Sequence, residues 1–170
     1  STEAELLFNQ LTPATHANRD RAETFIKDLK AIGGTAIYDA LQKALALRPA
    51  DGDLLVADLL VDRAEAAGAA GWFDKALADL DRVLKADPAR LDALIYRASA
   101  YRAQGRLDPA LADVDKALGL APDSVPALLE RGNIRRLRGD TGGARQDWVR
   151  VALLAPGSAA EAAARANIED

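Results

Sequence analysis

Apolar residues recur along this chain at helical spacing, in stretches closed by Pro or Gly. In residues 1–11, Leu6, Leu7, Phe8 and Leu11 offer one face for burial, and Thr12-Pro13 ends the stretch. From about Asn18, Ala22, Phe25, Ile26 and Leu29 line one side of a second predicted helix that stops at Gly33-Gly34. Thr35 is suited to cap a third helix, which ends before Pro49. Residues 50–56 hold a turn signal followed by apolar positions that should lengthen the next helix at its start.

Beyond residue 56 the pattern becomes periodic. Pro88, Pro122 and Pro156 are evenly spaced, and Gly71, Gly105 and Gly139 share their interval. The same interval separates Leu60, Leu94 and Leu128, the small residues Ala64, Ala98 and Gly132, and Ala76, Ala110 and Ala144. A fixed period of this length marks stacked helix pairs, each unable to bury its apolar face alone. Two antiparallel helices approach closely only where the facing side chains are small, which accounts for the alanine and glycine columns. The glycines fall where a first helix should end in a left-handed C-terminal cap. Asp74 and Asp108 stand where they can cap the second helix, with Pro109 at its first position, and each column proline ends it.

These columns resemble the tetratricopeptide repeat. In the central copy, 91–124, the motif slots hold Leu94, Ala98, Tyr101, Ala110, Val114 and Pro122. The copy at 57–90 matches at Leu60, Ala64, Ala76, Leu80 and Pro88, with Ala67 in the aromatic slot. The copy at 125–158 matches at Leu128, Gly132, Ala144, Trp148 and Pro156, with Arg135 in that slot. The resemblance thus runs from residue 57 to residue 158. It implies an all-α fold: a right-handed superhelical solenoid of antiparallel helix pairs. Residues 50–158 then form three repeats, 1–49 an N-terminal helical cap or degenerate repeat, and 159–170 a C-terminal capping helix, since stacked repeats need cover at both ends.

The N-terminal part also resembles, over FIKDLKAIGGTAIYDALQKAL, the middle of a von Willebrand factor A domain. On that resemblance Thr35 would help hold a divalent metal in an adhesion module. The Asp-x-Ser-x-Ser loop that supplies the other ligands is absent, as are alternating strands, and a hard cation needs several oxygen ligands. The cap reading of Thr35 is therefore preferred, and no metal or other cofactor is expected.

Composition narrows the class further. With 49% apolar and 28% charged residues, the chain has the make-up of a soluble protein of one domain. No stretch approaches a membrane span, so no membrane insertion is expected. The absence of cysteine excludes disulfides and thiolate chemistry and leaves the compartment open, cytoplasmic or exported. A net charge of −4 argues against nucleic acid as a partner. The charge is uneven: residues 51–90 carry nine acids against five bases, whereas 125–150 carry six arginines against three acids.

Two polar columns share the period, Arg63, Arg97 and Arg131, and Asp79, Asp113 and Asp147. Fork-shaped bonding between them suits an interhelical clamp, each Asp pairing with the Arg of its own repeat or of the next. Ligand binding is expected on the concave face of the first helices. The candidates are Val61, Glu65 and Ala69; Ile95, Ser99, Arg102 and Ala103; and Leu129, Asn133, Arg136 and Leu137. Apolar residues with two arginines and an asparagine suit a protein partner offering an extended peptide or a helix. Relatives that clamp the C-terminal carboxylate of chaperones use lysine, asparagine and arginine at groove positions that here hold Val61, Glu65, Tyr96, Pro126 and Glu130, so that activity is not implied. A homo-oligomer, its groove filled by a second copy, is the alternative. His16 stands in a polar turn without a nucleophile motif, Gly33-Gly34-Thr35 and Gly142-Gly143 are too short for a phosphate loop, and no enzyme is announced.

Overall fold

The computed structural model describes residues 54–169, with side chains from residue 57 onward. The helices expected before residue 50, and Thr35 and His16 with them, lie outside the described residues. Seven helices and no strand occur among those described: α1 (Leu54–Ala69), α2 (Phe73–Ala86), α3 (Leu91–Ala103), α4 (Leu107–Leu120), α5 (Val125–Leu137), α6 (Thr141–Leu154) and α7 (Ala159–Glu169). The chain is all-α and of the helical-repeat kind. It divides into two compact units, Ser1–Asp79 and Leu80–Asp170, with the division inside α2, where a single domain was expected. Contacts in a helical repeat run mainly between sequence neighbours, so no single centre gathers the whole chain.

The helices begin and end where their chemistry requires. α1 includes residues 54–56, ahead of residue 57, as the apolar run after Gly52 suggested. Each first helix closes in the same way. Gly71, Gly105 and Gly139 take φ of 78°, 74° and 85°, the left-handed region that a Cβ disfavours. The amides that follow them, of Trp72, Arg106 and Asp140, donate back to Ala67, Tyr101 and Arg135 carbonyls at 2.8, 2.9 and 2.9 Å. That six-to-one bond, together with the glycine amide's bond to the carbonyl three residues earlier, is the Schellman closure. The second helices stop two residues before Pro88, Pro122 and Pro156.

Helix starts differ from expectation in two places. Asp74 does not cap α2: the helix begins at Phe73, so Asp74 falls inside the first turn. Asp108 does not cap α4: the helix begins at Leu107 with Arg106 at the cap, so Asp108 and Pro109 fall inside the first turn. The carboxylate instead meets Arg138 at 2.8 Å on the surface. In α6 the cap is Asp140, whose side chain accepts from the Gly143 amide at 2.8 Å.

In the second unit each pair packs tightly, α3 on α4 and α5 on α6, and α7 packs on α6 and α5. Its core is built from the periodic columns: Leu94, Ala98, Ala110, Val114, Leu128, Ala144 and Trp148 are all at most 3% exposed. Burying each leucine there contributes about 2 kcal/mol. The first unit repeats the arrangement with Leu60, Ala64 and Ala76 buried. The facing small residues matter most at Gly132, where a Cβ would stand 2.4 Å from Nε1 of Trp148. Glycine there admits the indole, which is 3% exposed.

Candidate functional site

The first helices of the second unit form a continuous layer, α3 against α5 and α5 against α7. This layer carries the candidate groove positions of that unit. Ile95, Ser99, Leu129 and Asn133 are half-buried, and Ala103, Arg136 and Leu137 are exposed. Leu137, at 55% exposure, is among the largest apolar surfaces of the described residues. Beside it the Arg136 guanidinium lies over the Trp148 ring, 5.8 Å from its centroid, a placement that favours a cation on the face of the indole.

Three side-chain pairs tie this layer across or along helices. Nε of Arg102 donates to Oε1 of Glu130 at 2.6 Å, joining α3 to α5; Glu130 is 8% exposed. Nδ2 of Asn167 donates to Oδ1 of Asn133 at 3.2 Å, joining α7 to α5. Arg90 holds Asp92 at the start of α3 through Nε at 2.7 Å and Nη2 at 2.9 Å. Arg102 is thus a partly neutralised charge, whereas Arg136 has no carboxylate among the described residues. Of the two candidate arginines, Arg136 is the more exposed.

In the first unit the candidates lie on α1. Ala69 is exposed and Glu65 half-buried, but Val61 is 5% exposed and offers no surface. The correction has a simple cause. The buried residues of α1, Leu59, Leu60, Val61, Ala64, Ala66 and Ala67, spread over a wide arc of the helix, so its core face extends to Val61.

The Arg–Asp columns form clamps within each repeat. Nε and Nη2 of Arg97 donate to Oδ2 and Oδ1 of Asp113, both at 2.7 Å. Arg131 does the same to Asp147 at 2.9 and 2.7 Å, and Arg63 to Asp79 through Nε at 2.6 Å and through Nη2. Sequence reasoning missed the second acid on the outer side: Nη1 of Arg97 also reaches Asp81 at 2.7 Å, and Nη1 of Arg131 reaches Asp115 at 3.1 Å. Asp81 and Asp115 are themselves one repeat interval apart, the signal that would have found them. Both guanidinium groups are held above the ordinary arginine range, chiefly by the buried aspartate; burial opposes that shift, and the outer acid adds to it. In the third copy Arg135, standing in the aromatic slot, sends Nη1 to Oδ2 of Asp147 at 2.8 Å. In the second, Tyr101 fills that slot with Arg106 stacked 4.5 Å from its ring centroid.

Sequence reasoning also missed Asn167. Arg165-Ala166-Asn167-Ile168 stands one repeat interval after Arg131-Gly132-Asn133-Ile134, and the start of α7 follows that of α5 by the same interval. α7 therefore occupies the place of a first helix in the repeat register. Among the described residues, no three His, Cys, Asp or Glu side chains gather as a metal site. No described helix is long and apolar enough to cross a membrane.

Residues 91–124 match the family model described as tetratricopeptide repeat. No curated protein matches the chain. Among solved structures, TTC0263, a tetratricopeptide-repeat protein of Thermus thermophilus, is similar with TM-score 0.72 and 21% identity, over 85% of this chain and 78% of that one. The second such domain of human RPAP3, solved in complex with the HSP70 peptide SGPTIEEVD, gives TM-score 0.61 and 27% identity over 70% of this chain and 99% of that one. The Sgt2 domain from Aspergillus fumigatus gives TM-score 0.61 and 27% identity over 66% and 74%. Residues 91–124 are a tetratricopeptide repeat, and the chain has the tetratricopeptide-repeat fold.

Proposed function

We propose that the chain is a protein-interaction module that binds a peptide or a partner helix on the layer of first helices. The observation that carries this reading is the pairing of Arg136, exposed and without a carboxylate among the described residues, with the exposed Leu137 beside the half-buried Ile95, Ser99, Leu129 and Asn133. Apolar surface with a few fixed polar groups is the make-up of a peptide-recognition face. The hydroxyl of Ser99 and the amide of Asn133, which share one register position in successive repeats, suit the backbone of an extended chain. Arg136 suits an acidic side chain.

Similarity to the human RPAP3 domain supports the general activity, because that domain was solved with a chaperone peptide. It does not extend to that ligand. The positions matching the carboxylate clamp hold Val61, Glu65, Tyr96, Pro126 and Glu130, and Glu130 is a buried acid already bonded to Arg102.

A random peptide library displayed on phage and panned against the chain tests the reading. Enriched peptides should join an acidic to an apolar residue, and in fluorescence anisotropy should bind Arg136→Glu at least tenfold more weakly than the original chain. An empty selection, or peptides that bind Arg136→Glu equally well, would count against the assignment.

A further inference from the structure

Two neighbouring first helices repeat the same chemistry in the same order. Ile95 of α3 and Leu129 of α5 share one register position, Ser99 and Asn133 the position one turn on, and Arg102 and Arg136 the one after that. All six are half-buried or exposed. Each helix therefore offers a ligand an apolar contact, a hydrogen-bonding group and a guanidinium. α5 packs against α3 on one side and α7 on the other, so both sets lie within the layer.

Both guanidinium groups keep bonding capacity. Arg102 donates to Glu130 through Nε alone, at 2.6 Å; its two Nη groups donate to nothing among the described residues, and the side chain is 29% exposed. Arg136 has no carboxylate among the described residues and rests on the Trp148 ring. The amide of Asn133 is oriented by α7: its Oδ1 accepts from Asn167, which leaves Nδ2 to donate to a ligand carbonyl.

The spacing of the two sets selects a ligand conformation. Packed helices lie about 8–10 Å apart. A polyproline II chain has three residues per turn and rises about 3.1 Å for each, so it returns the same face about every 9 Å. A β-strand covers a similar distance in three residues but then presents its opposite face. We infer that the ligand of this face is an extended, polyproline II-like segment carrying two acidic residues at i and i+3, one bound by Arg102 and the other by Arg136. This rests on the peptide-binding reading above and names the ligand within it. Charge complementarity commits the face to that occupant, because two guanidinium groups one repeat apart call for two carboxylates at the same separation.

The probes are short fluorescein-labelled peptides of proline, leucine and two glutamates, equal in composition, with the glutamates at i and i+2, i and i+3, or i and i+4. A fourth has a single glutamate, and a fifth is a lactam-stapled helix with glutamates at i and i+7, which stand about 10.5 Å apart on one face. In fluorescence anisotropy with the full chain, the i and i+3 peptide should bind at least fivefold tighter than each of the others. Arg102→Gln with Glu130→Gln removes the α3 charge without stranding a buried carboxylate, and circular dichroism melts establish that this variant folds. It should bind the i and i+3 peptide no tighter than the single-glutamate one. Equal affinity across the spacings, or preference for i and i+4 or for the stapled helix, overturns the inference while peptide binding itself stands. A second glutamate that helps binding equally in the paired variant overturns it too. Failure of every acidic peptide, or binding indifferent to Arg136→Glu, removes the peptide-binding reading and this inference with it.

Discussion

Arg97 grips Asp113 by two bonds of equal length, Nε to Oδ2 and Nη2 to Oδ1, each 2.7 Å, and thereby locks α3 to α4. Asp113 is 7% exposed, so its charge depends on that fork. Arg97→Ala leaves a buried carboxylate alone and should cost about 3 kcal/mol in urea unfolding. Asp113→Ala should cost less, since Arg97 retains Asp81 on the solvent side. The double variant should lose less than the two single losses together; strict additivity would mean that the pair is not coupled. Arg97→Lys should recover little, because a point charge cannot make both bonds.

How far the fold could be read in advance depended on repetition. The Gly71, Gly105 and Gly139 turns and the Arg–Asp clamps are each present three times, and a physical requirement met three times at one interval stands out from chance. Features that occur once were hidden. Glu130 is aligned with Tyr96, and Arg102 with Gly68, so no column announced that they would bond. Val61 looked available because its column-mates Ile95 and Leu129 lie on a half-buried face, while α1 itself is buried on more sides. Asp108 looked like a cap, but α4 starts one residue early and draws it into the first turn.

The contact between Gly132 and Trp148 predicts a substitution with compensation. Gly132→Ala places a Cβ 2.4 Å from Nε1 of the indole and should cost about 1–3 kcal/mol by overpacking. Trp148→Leu removes the obstructing ring, along with a buried Nε1–H that has no hydrogen-bond partner in the structure. In the Trp148→Leu background Gly132→Ala should cost much less, or stabilise α5 by helix propensity. Thermal melts of the four proteins decide the point, and an equal cost of Gly132→Ala in both backgrounds would refute the contact as the cause.

Acid should loosen the last helix first. Oε2 of Glu161 accepts from the Gly157 amide at 2.5 Å, Oε1 from Arg165 at 2.7 Å, and Ser158 Oγ accepts from the Glu161 amide at 3.1 Å, a closed cap at the start of α7. The backbone bond first, and Arg165 second, hold the Glu161 carboxyl below its ordinary value of 4.5. A lowered value in the folded state means that stability is present above the ordinary value and is lost as pH falls through the lowered one. Amide protection over 159–169 should therefore drop at acid pH before that of α3 to α6. Arg165→Ala should move the drop to higher pH, and Glu161→Gln should remove it. An unchanged pH profile in Glu161→Gln would exclude this carboxyl as the origin.

The bond between Arg102 and Glu130 decides how the peptide face can be tested. Arg102→Glu sets two carboxylates against each other and strands Glu130, which is 8% exposed, so that variant should lose about 3 kcal/mol and fail to bind because the face itself is disturbed. Arg136→Glu alters a charge at the surface and should change stability by less than about 0.5 kcal/mol. Exchanging the pair, Arg102→Glu with Glu130→Arg, keeps one acid and one base across α3 and α5 and should recover at least half of the loss. Urea unfolding of the three variants beside peptide anisotropy separates the two effects. A peptide that tolerates Arg136→Glu but not the stably exchanged pair would move the recognition charge from α5 to α3.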